Sequence, residues 1–193
     1  MSEINHIEEK IKESILLKQR VLEDRELLQR VGKAAGLLTS ALEEGRKALF
    51  CGNGGSAADA QHLAAELSGK FYLDRPPLPA EACHVNSSFV TAYSNDYSFA
   101  RAFARYVEAF GQEGDVLVAL STSGNSENIL EAIYSARSRG MTVIGFTGMS
   151  GGMMKDLCDV LINIPSNDTP RIQELHITIG HILCEMTEKQ IFG

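Results

Sequence analysis

A carboxylate and an imidazole stand four residues apart in one segment of the chain, at His62 and Glu66. Residues with this spacing lie on the same face of a helix, so both side chains would point the same way. Such a pair can move a proton between carbon atoms, and it can also bind a metal ion. The same pattern is common in ordinary surface ion pairs, so the spacing alone leaves both roles open.

A second group of polar residues lies in the strongly apolar segment 171–186, RIQELHITIGHILCEM. The segment predicts a buried helix, and polar side chains buried there need partners. Helical geometry separates Glu174 from His181 by about 20° around the axis and Gln173 from His181 by about 80°. It leaves the choice between Gln173 and Glu174 open and places His176 on a different side, where a hydrogen-bonded core histidine is the simpler interpretation.

Two glycine- and serine-rich loops follow apolar runs, at residues 51–56 (CGNGGS) and 121–126 (STSGNS). Backbone N–H groups at a helix start attract phosphate, and glycine lets the backbone approach a ligand closely. Neither loop contains Lys or Arg, so hydroxyl and backbone donors would bind the anion, which suits a phosphorylated sugar. A tight turn with an N-cap serine is the structural alternative for each loop.

The first loop also satisfies a loose dinucleotide-binding pattern through Gly52, Gly54 and Ala57. That pattern requires an acidic residue roughly 20 positions later, at the end of the second strand. Asp74 is close in number, but no strand precedes it, so the dinucleotide interpretation is weak.

The elements that must position these residues follow from the apolar pattern after residue 45. Apolar runs that predict strands cover residues 47–51, 82–85, 115–121, 142–148 and 159–165. Helical patterns between and after them lie near residues 57–70, 99–110, 125–139 and 171–190. Alternating strands and helices predict a parallel sheet in a doubly wound α/β domain, with ligands at the carboxyl ends of the strands.

The first 45 residues predict two helices, one along residues 4–15 and one over about 25–44. Isoleucines at positions 4, 7, 11 and 15 form a stripe on the first helix. The stripe could pack on the domain's own core or on a second subunit. We treat residues 1–193 as one domain, with 1–45 as a helical segment that packs on the domain and on a neighbouring subunit.

The composition and charge of the chain argue against nucleic-acid-binding and membrane proteins. The chain has 193 residues, a formal net charge of −7 and four widely spaced cysteines. No basic field is present to bind nucleic acid or an anionic membrane surface. No apolar run approaches the roughly 20 residues that span a bilayer, and the polar N-terminus does not resemble a signal peptide. We expect a cytoplasmic protein with reduced thiols.

Five segments in this order and spacing resemble the phosphoheptose (sedoheptulose-7-phosphate) isomerases, a family of sugar isomerase (SIS) domains. They are CGNGGSAADAQHLAAEL, SNDYSF, GDVLVALSTSGNS, GMTVIGFTG and TPRIQELH…GH. The resemblance implies a three-layer α/β sandwich with a five-stranded parallel sheet, and N-terminal helices used for oligomerisation. It implies a homotetramer with active sites between subunits, which converts sedoheptulose 7-phosphate to D-glycero-D-manno-heptose 7-phosphate for ADP-heptose and lipopolysaccharide-core synthesis.

The resemblance also assigns site residues. Substrate contacts fall on Asn53, Gly54, Gly55, Ser56, Glu66, Asn95, Asp96, Ser121, Thr122, Ser123, Ser126 and Gln173. One Zn²⁺ per subunit is implied at His62, Glu66, Gln173 and His181. Ala65 and Lys70 stand where some members have Glu and Arg, and Lys70 leaves any bidentate contact of that Arg in question.

Isomerisation through an enediol needs a base for the carbon proton and a group that handles the oxygen protons. We expect Glu66 to be the base and His181 the acid. A non-catalytic SIS protein that binds the bacterial replication initiator is the alternative. Such relatives lack the helix carboxylate, whereas this chain has Glu66 together with His181.

Overall fold

The computed structural model describes residues 3–193, which form an α/β fold around one sheet. The strands are β1 Ala48–Cys51, β2 Ala80–Ala82, β3 Val116–Leu120, β4 Thr142–Thr147 and β5 Val160–Asn163. The helices are α1 Glu3–Glu23, α2 Arg25–Glu43, α3 Gly55–Ser68, α4 Ser87–Asp96, α5 Ala102–Phe110, α6 Glu127–Ser138 and α7 Thr169–Phe192. Short 3₁₀ turns cover Phe99–Arg101 and Gly152–Asp156.

The five strands are all parallel and lie in the order β2-β1-β3-β4-β5. Successive side chains of a strand point to opposite faces, so Phe50 contributes to one core and Leu49 to the other. Helices α2, α3 and α7 cover the first face, whereas α5 and α6 cover the second. This confirms the three-layer sandwich with a five-stranded parallel sheet, and burial on both faces explains why the strand runs lack alternation.

The second strand and the following segment differ from the sequence prediction. The strand is Ala80–Ala82, so only the first residue of the predicted run 82–85 belongs to it. Helix α4 was not predicted; none of its ten residues is fully buried, and its partly buried residues include Phe89, which packs on Tyr106 of α5. Asn86 caps this helix by accepting a hydrogen bond from the Phe89 N–H over 3.0 Å.

The two N-terminal helices behave differently. Helix α2 buries one face in the core, whereas α1 buries only Leu17 and Val21 among its described residues. The predicted isoleucine stripe of α1 is exposed, at 67, 57, 56 and 49 % for positions 4, 7, 11 and 15. The stripe therefore does not pack on the domain's own core. Of the predicted segment 1–45, residues 1 and 2 lie outside the described residues.

Within residues 3–193, none of the helices combines the length and the apolar character that crossing a bilayer requires.

Candidate active site

Helix α3 carries the first two candidate residues. It begins at Gly55, directly after Gly54, whose φ of +53° is a conformation that glycine adopts readily. On this helix His62 Nε2 lies 3.2 Å from Glu66 Oε1. The two side chains therefore share one face, as their spacing predicts, and the Glu66 side chain is only 22 % exposed.

Helix α7 brings His181 to the same place within one protomer. The Nε2 atoms of His62 and His181 are 2.9 Å apart, and the ring centroids are separated by 5.1 Å. Gly180 allows this approach, because a Cβ atom there would overlap the side chain of Leu63 on α3. One ligand atom from each of His62, Glu66 and His181 lies within 4.8 Å of the others.

The structure separates the roles of the neighbours Gln173 and Glu174. The Gln173 amide faces the first glycine loop, where its Nε2 lies 3.5 Å from Ser56 Oγ. Glu174 points to α1 instead and accepts a hydrogen bond from Ser14 Oγ over 2.7 Å. Gln173 is therefore the residue on the side of the candidate site.

His176 is a core histidine. It is fully buried, and its Nε2 lies 3.1 Å from the carbonyl oxygen of Thr147 on β4. Burial lowers the pKa of His176 to about 4, although the hydrogen bond with Thr147 opposes this shift. The histidine is neutral at physiological pH, and its role is structural.

A cavity of about 320 Å³ lies at the carboxyl ends of β1 and β3, as expected for an α/β sheet. Its walls are Asn53, Gly54, Gly55, Ser56, Leu120, Ser121, Thr122, Ser126, Thr169 and Gln173. Ser123 and Thr122 line an adjoining cavity of about 290 Å³. The structure therefore brings both predicted loops to one crevice, whose size is in the lower range for small-ligand sites.

Three helix N-termini meet at this cavity. Gly54 precedes α3, Ser126 precedes α6, and Thr169 is the first residue of α7. No side chain caps any of these three helix starts, whereas Asp24 caps α2. Uncapped N–H groups and the helix dipoles favour an anion there. Sequence reasoning identified the first two helix starts and missed that of α7.

Serine hydroxyls add further donors to this cavity. Ser121 Oγ lies 3.0 Å from Ser126 Oγ and 3.4 Å from Ser123 Oγ. Hydroxyl protons rotate to suit a partner, so the cluster can turn its donors toward a bound anion.

Asn128 is a site residue that sequence reasoning missed. It is buried in the first turn of α6, and its amide exchanges two hydrogen bonds of 2.8 Å with the amide of Asn53. The pair joins the two loops and fixes the orientation of Asn53. The signal in the sequence was a polar residue in the apolar stretch of α6, which must find a partner when it is buried.

Comparisons with known proteins agree with this geometry. Residues 11–148 match the model of the SIS domain family. Phosphoheptose isomerase of Clostridium acetobutylicum is 52 % identical over 98 % of this chain and 96 % of that protein. The Burkholderia pseudomallei enzyme is 48 % identical over 99 % of this chain and 97 % of its own length. The chain belongs to the phosphoheptose isomerase family of SIS domains.

Solved structures of this family have the same fold. Phosphoheptose isomerase from Neisseria gonorrhoeae aligns with a TM-score of 0.91 and 41 % identity, over 97 % of this chain and 100 % of that one. The Francisella tularensis structure gives a TM-score of 0.93 and 38 % identity, over 98 % of this chain and 100 % of that one.

Two substrate-binding residues implied by the phosphoheptose isomerase resemblance do not reach the cavity. Asn95 and Asp96 lie at the end of α4, where both are exposed and Asn95 Nδ2 donates to Asp96 Oδ1 over 2.9 Å. The residues that line the cavity include neither of them. A single protomer therefore provides the loops and the helix residues of the site without the α4 pair.

Three of the four zinc ligands implied by the phosphoheptose isomerase resemblance, His62, Glu66 and His181, lie together in the described protomer. Two histidine nitrogens and a carboxylate are usual zinc ligands. The 2.9 Å between the Nε2 atoms of His62 and His181 is close to the roughly 3.3 Å expected between two nitrogen ligands of a tetrahedral zinc ion. Glu66 supplies the third donor. Gln173, the fourth implied ligand, is an unusual ligand type for zinc; it lies beside Ser56, about 12 Å from His181 along the axis of α7.

Proposed function

We propose that the protein interconverts sedoheptulose 7-phosphate and D-glycero-D-manno-heptose 7-phosphate, the entry reaction to ADP-heptose and lipopolysaccharide-core heptose. The observation that carries this proposal is the meeting of Glu66 and His181 on two helices whose N-termini line an anion cavity. His62 lies about two turns, or roughly 11 Å, beyond the start of α3. This separation suits a substrate whose phosphate is far from its reacting carbons.

The proposed reaction moves protons only. The Glu66 carboxylate takes a proton from C1 of the ketose, which gives the 1,2-enediol, and returns it to C2 to form the aldose. His181 moves the accompanying proton between the oxygen atoms on C2 and C1, and it can assist opening of the sugar ring. A carboxylate and an imidazole in contact are suited to these two transfers.

Phosphate binding would position the sugar for this chemistry. The formal net charge of the chain is −7, so attraction must come from local donors. The three uncapped helix starts and the serine hydroxyls supply them without a Lys or Arg in either loop. Binding energy from this remote group then orients C1 and C2.

We further propose one Zn²⁺ per subunit, held by His62, Glu66, Gln173 and His181. A zinc ion there would act as a Lewis acid that polarises substrate oxygens. Glu66 and His181 belong both to this ligand set and to the proton-transfer pair, so metal content and turnover must be measured on the same sample.

A homotetramer with its sites between subunits is the proposed assembly. The exposed isoleucine stripe of α1 supports it, because it leaves apolar surface uncovered on the described protomer, and Tyr97 and Phe99 directly after α4 are exposed as well. A neighbouring subunit would then supply Asn95 and Asp96 to the cavity.

We place the protein in the cytoplasm, since its four cysteines are unpaired thiols.

Turnover of sedoheptulose 7-phosphate by the purified protein tests the function. We expect formation of the aldose heptose 7-phosphate, detected by chromatography, and much slower conversion of other ketose phosphates. Absence of turnover, with and without added Zn²⁺, would contradict the proposal and leave the initiator-binding alternative. Full activity after chelation, with metal analysis of the same sample, would exclude a required ion.

A further inference from the structure

A buried ion pair lies behind the candidate site, outside the residues assigned to catalysis. Arg75 belongs to the segment between α3 and β2, and its Nε lies 2.9 Å from Glu188 Oε1 on α7. The two side chains are 2 % and 1 % exposed. Burying two charges is costly unless their remaining hydrogen-bonding groups are also satisfied, so the other contacts of this pair show what it holds together.

Arg75 closes the end of α3. Its Nη2 donates to the carbonyl oxygen of Glu66 over 2.9 Å, and its Nη1 donates to those of Leu67 over 2.8 Å and Gly69 over 3.2 Å. The last carbonyls of a helix have no partner within the helix and attract cations. The guanidinium therefore fixes the backbone of the residue whose carboxylate is the proposed base.

Glu188 holds the segment that follows α3. Its carboxylate accepts hydrogen bonds from the N–H groups of Phe71 at 3.0 Å, Tyr72 at 2.7 Å and Leu73 at 2.9 Å. The ring of Phe71 in turn lies 5.6 Å from the ring of His181, centroid to centroid. Burial alone would raise the pKa of Glu188, but the three N–H groups and Arg75 lower it to about 2.

The pair is also aligned with the site along α7. Glu188 follows His181 by seven residues, which places both on nearly the same face, about 20° apart and roughly 10.5 Å along the axis. One carboxylate thus contacts both the cation that closes α3 and the segment that packs on His181. The ion pair therefore links the α3 and α7 sides of the site, in addition to the direct packing of Leu63 on Gly180.

We propose that Arg75 and Glu188 are positioning residues, which set the placement of Glu66 and His62 on α3 relative to His181 on α7. The proposal rests on the isomerase function, in which these helices carry the proton-transfer groups. The phosphate-binding loops follow β1 and β3 and are not contacted by the pair. Loss of the pair should therefore disturb the reacting groups and leave substrate binding largely intact.

The test uses Glu188→Gln and Arg75→Lys, which preserve size but lose contacts on both sides. Asp115→Asn is the matched control. Asp115 is 1 % exposed, lies 2.5 Å from Lys47 Nζ, and accepts hydrogen bonds from two backbone N–H groups. It precedes β3, at the opposite end of the sheet from the cavity. Its loss should lower the melting temperature without moving the site.

We expect kcat to fall about 100-fold in Glu188→Gln and Arg75→Lys, the cost of a misplacement of about 1 Å, with KM nearly unchanged. NMR of histidine-labelled protein gives a readout independent of activity, because the Phe71 ring shifts the His181 resonances. These resonances should move in both variants and stay in place in Asp115→Asn.

Two results would overturn the proposal. One is a kcat loss in Glu188→Gln no larger than that of Asp115→Asn, and the other is His181 resonances at their wild-type positions in both variants. If the wild-type protein fails to isomerise sedoheptulose 7-phosphate, the function is wrong, and the His181 resonances still decide whether the pair positions that side chain.

Discussion

Glu66 offers two groups to its surroundings, and they face different partners. Its carboxylate lies 3.2 Å from His62 Nε2, whereas its carbonyl oxygen accepts a hydrogen bond from Arg75. The side chain and the backbone of this residue can therefore be tested separately. A substitution that changes only the carboxylate leaves the end of α3 in place.

Glu66→Gln should lower kcat about 1,000-fold, because an amide cannot accept the carbon proton and general base catalysis contributes factors of this order. KM and the circular dichroism spectrum should change little, since the amide has the same shape. Glu174→Gln is the control, because that carboxylate hydrogen-bonds Ser14 on α1. Near-normal turnover by Glu66→Gln would remove Glu66 from the role of base.

At this scale, sequence spacing predicted that His62 and Glu66 share a face. The spacing did not decide between Gln173 and Glu174, because both lie within about 80° of His181 around the helix axis. Tertiary neighbours made the difference: Ser56 lies beside Gln173, whereas Ser14 lies beside Glu174. Contacts between residues far apart in the chain are not encoded in helical periodicity.

At the scale of elements, α7 contributes to both the site and the core. Gln173 and His181 belong to the site, whereas His176 is buried against Thr147 of β4. The folded state therefore holds His176 neutral at a pH where the unfolded chain would protonate it. Stability should depend on pH through this one side chain.

The free energy of unfolding should fall as the pH decreases from 6.5 to 4. The pKa of His176 is about 4 in the folded state and near 6.5 when unfolded, so the unfolded chain binds more protons in this range. The contribution is complete above pH 6.5 and its loss reaches about 3 kcal/mol. Urea denaturation of wild type and His176→Gln measures it; parallel pH dependences would contradict the assignment.

Most of the sheet and its flanking helices were predictable because β1, β3, β4 and β5 lie in apolar runs and each core helix has a stripe, whereas β2 contains the exposed Glu81 and was misplaced. Helix α4 was missed because none of its residues is fully buried against the described chain. The start of α7 was missed as part of the cavity because no glycine-rich loop marks it. Apolar sequence patterns indicate burial within the same chain. An element that contacts another subunit, or only the ligand, therefore lacks the pattern by which it could be predicted.

At the scale of the whole molecule, α1 leaves a stripe of apolar side chains exposed to solvent. Its four exposed isoleucines would each gain about 2 kcal/mol on burial, which is a strong drive to associate. α1 is nevertheless held to its own chain through the bond from Ser14 to Glu174, so it presents the stripe in a fixed direction.

Ile11→Asp should reduce the proposed tetramer to smaller species, because it places a charge in the centre of the stripe. Sedimentation velocity measures this change, and turnover should fall with it if neighbouring subunits complete the site. Gln29→Asp is the control, since it adds the same charge at an exposed position outside α1. Equal sedimentation coefficients for Ile11→Asp and wild type would exclude α1 as an interface.

We expect the three uncapped helix starts to recognise a tetrahedral oxyanion rather than a particular sugar, because their free N–H groups suit any such anion. Inorganic phosphate and sulfate should therefore act as competitive inhibitors, and raising their concentration should increase the apparent KM while kcat stays constant. The rate of heptose formation in a cell would then follow the ratio of sugar phosphate to free phosphate, so a buffer without these ions is needed to measure the unperturbed enzyme.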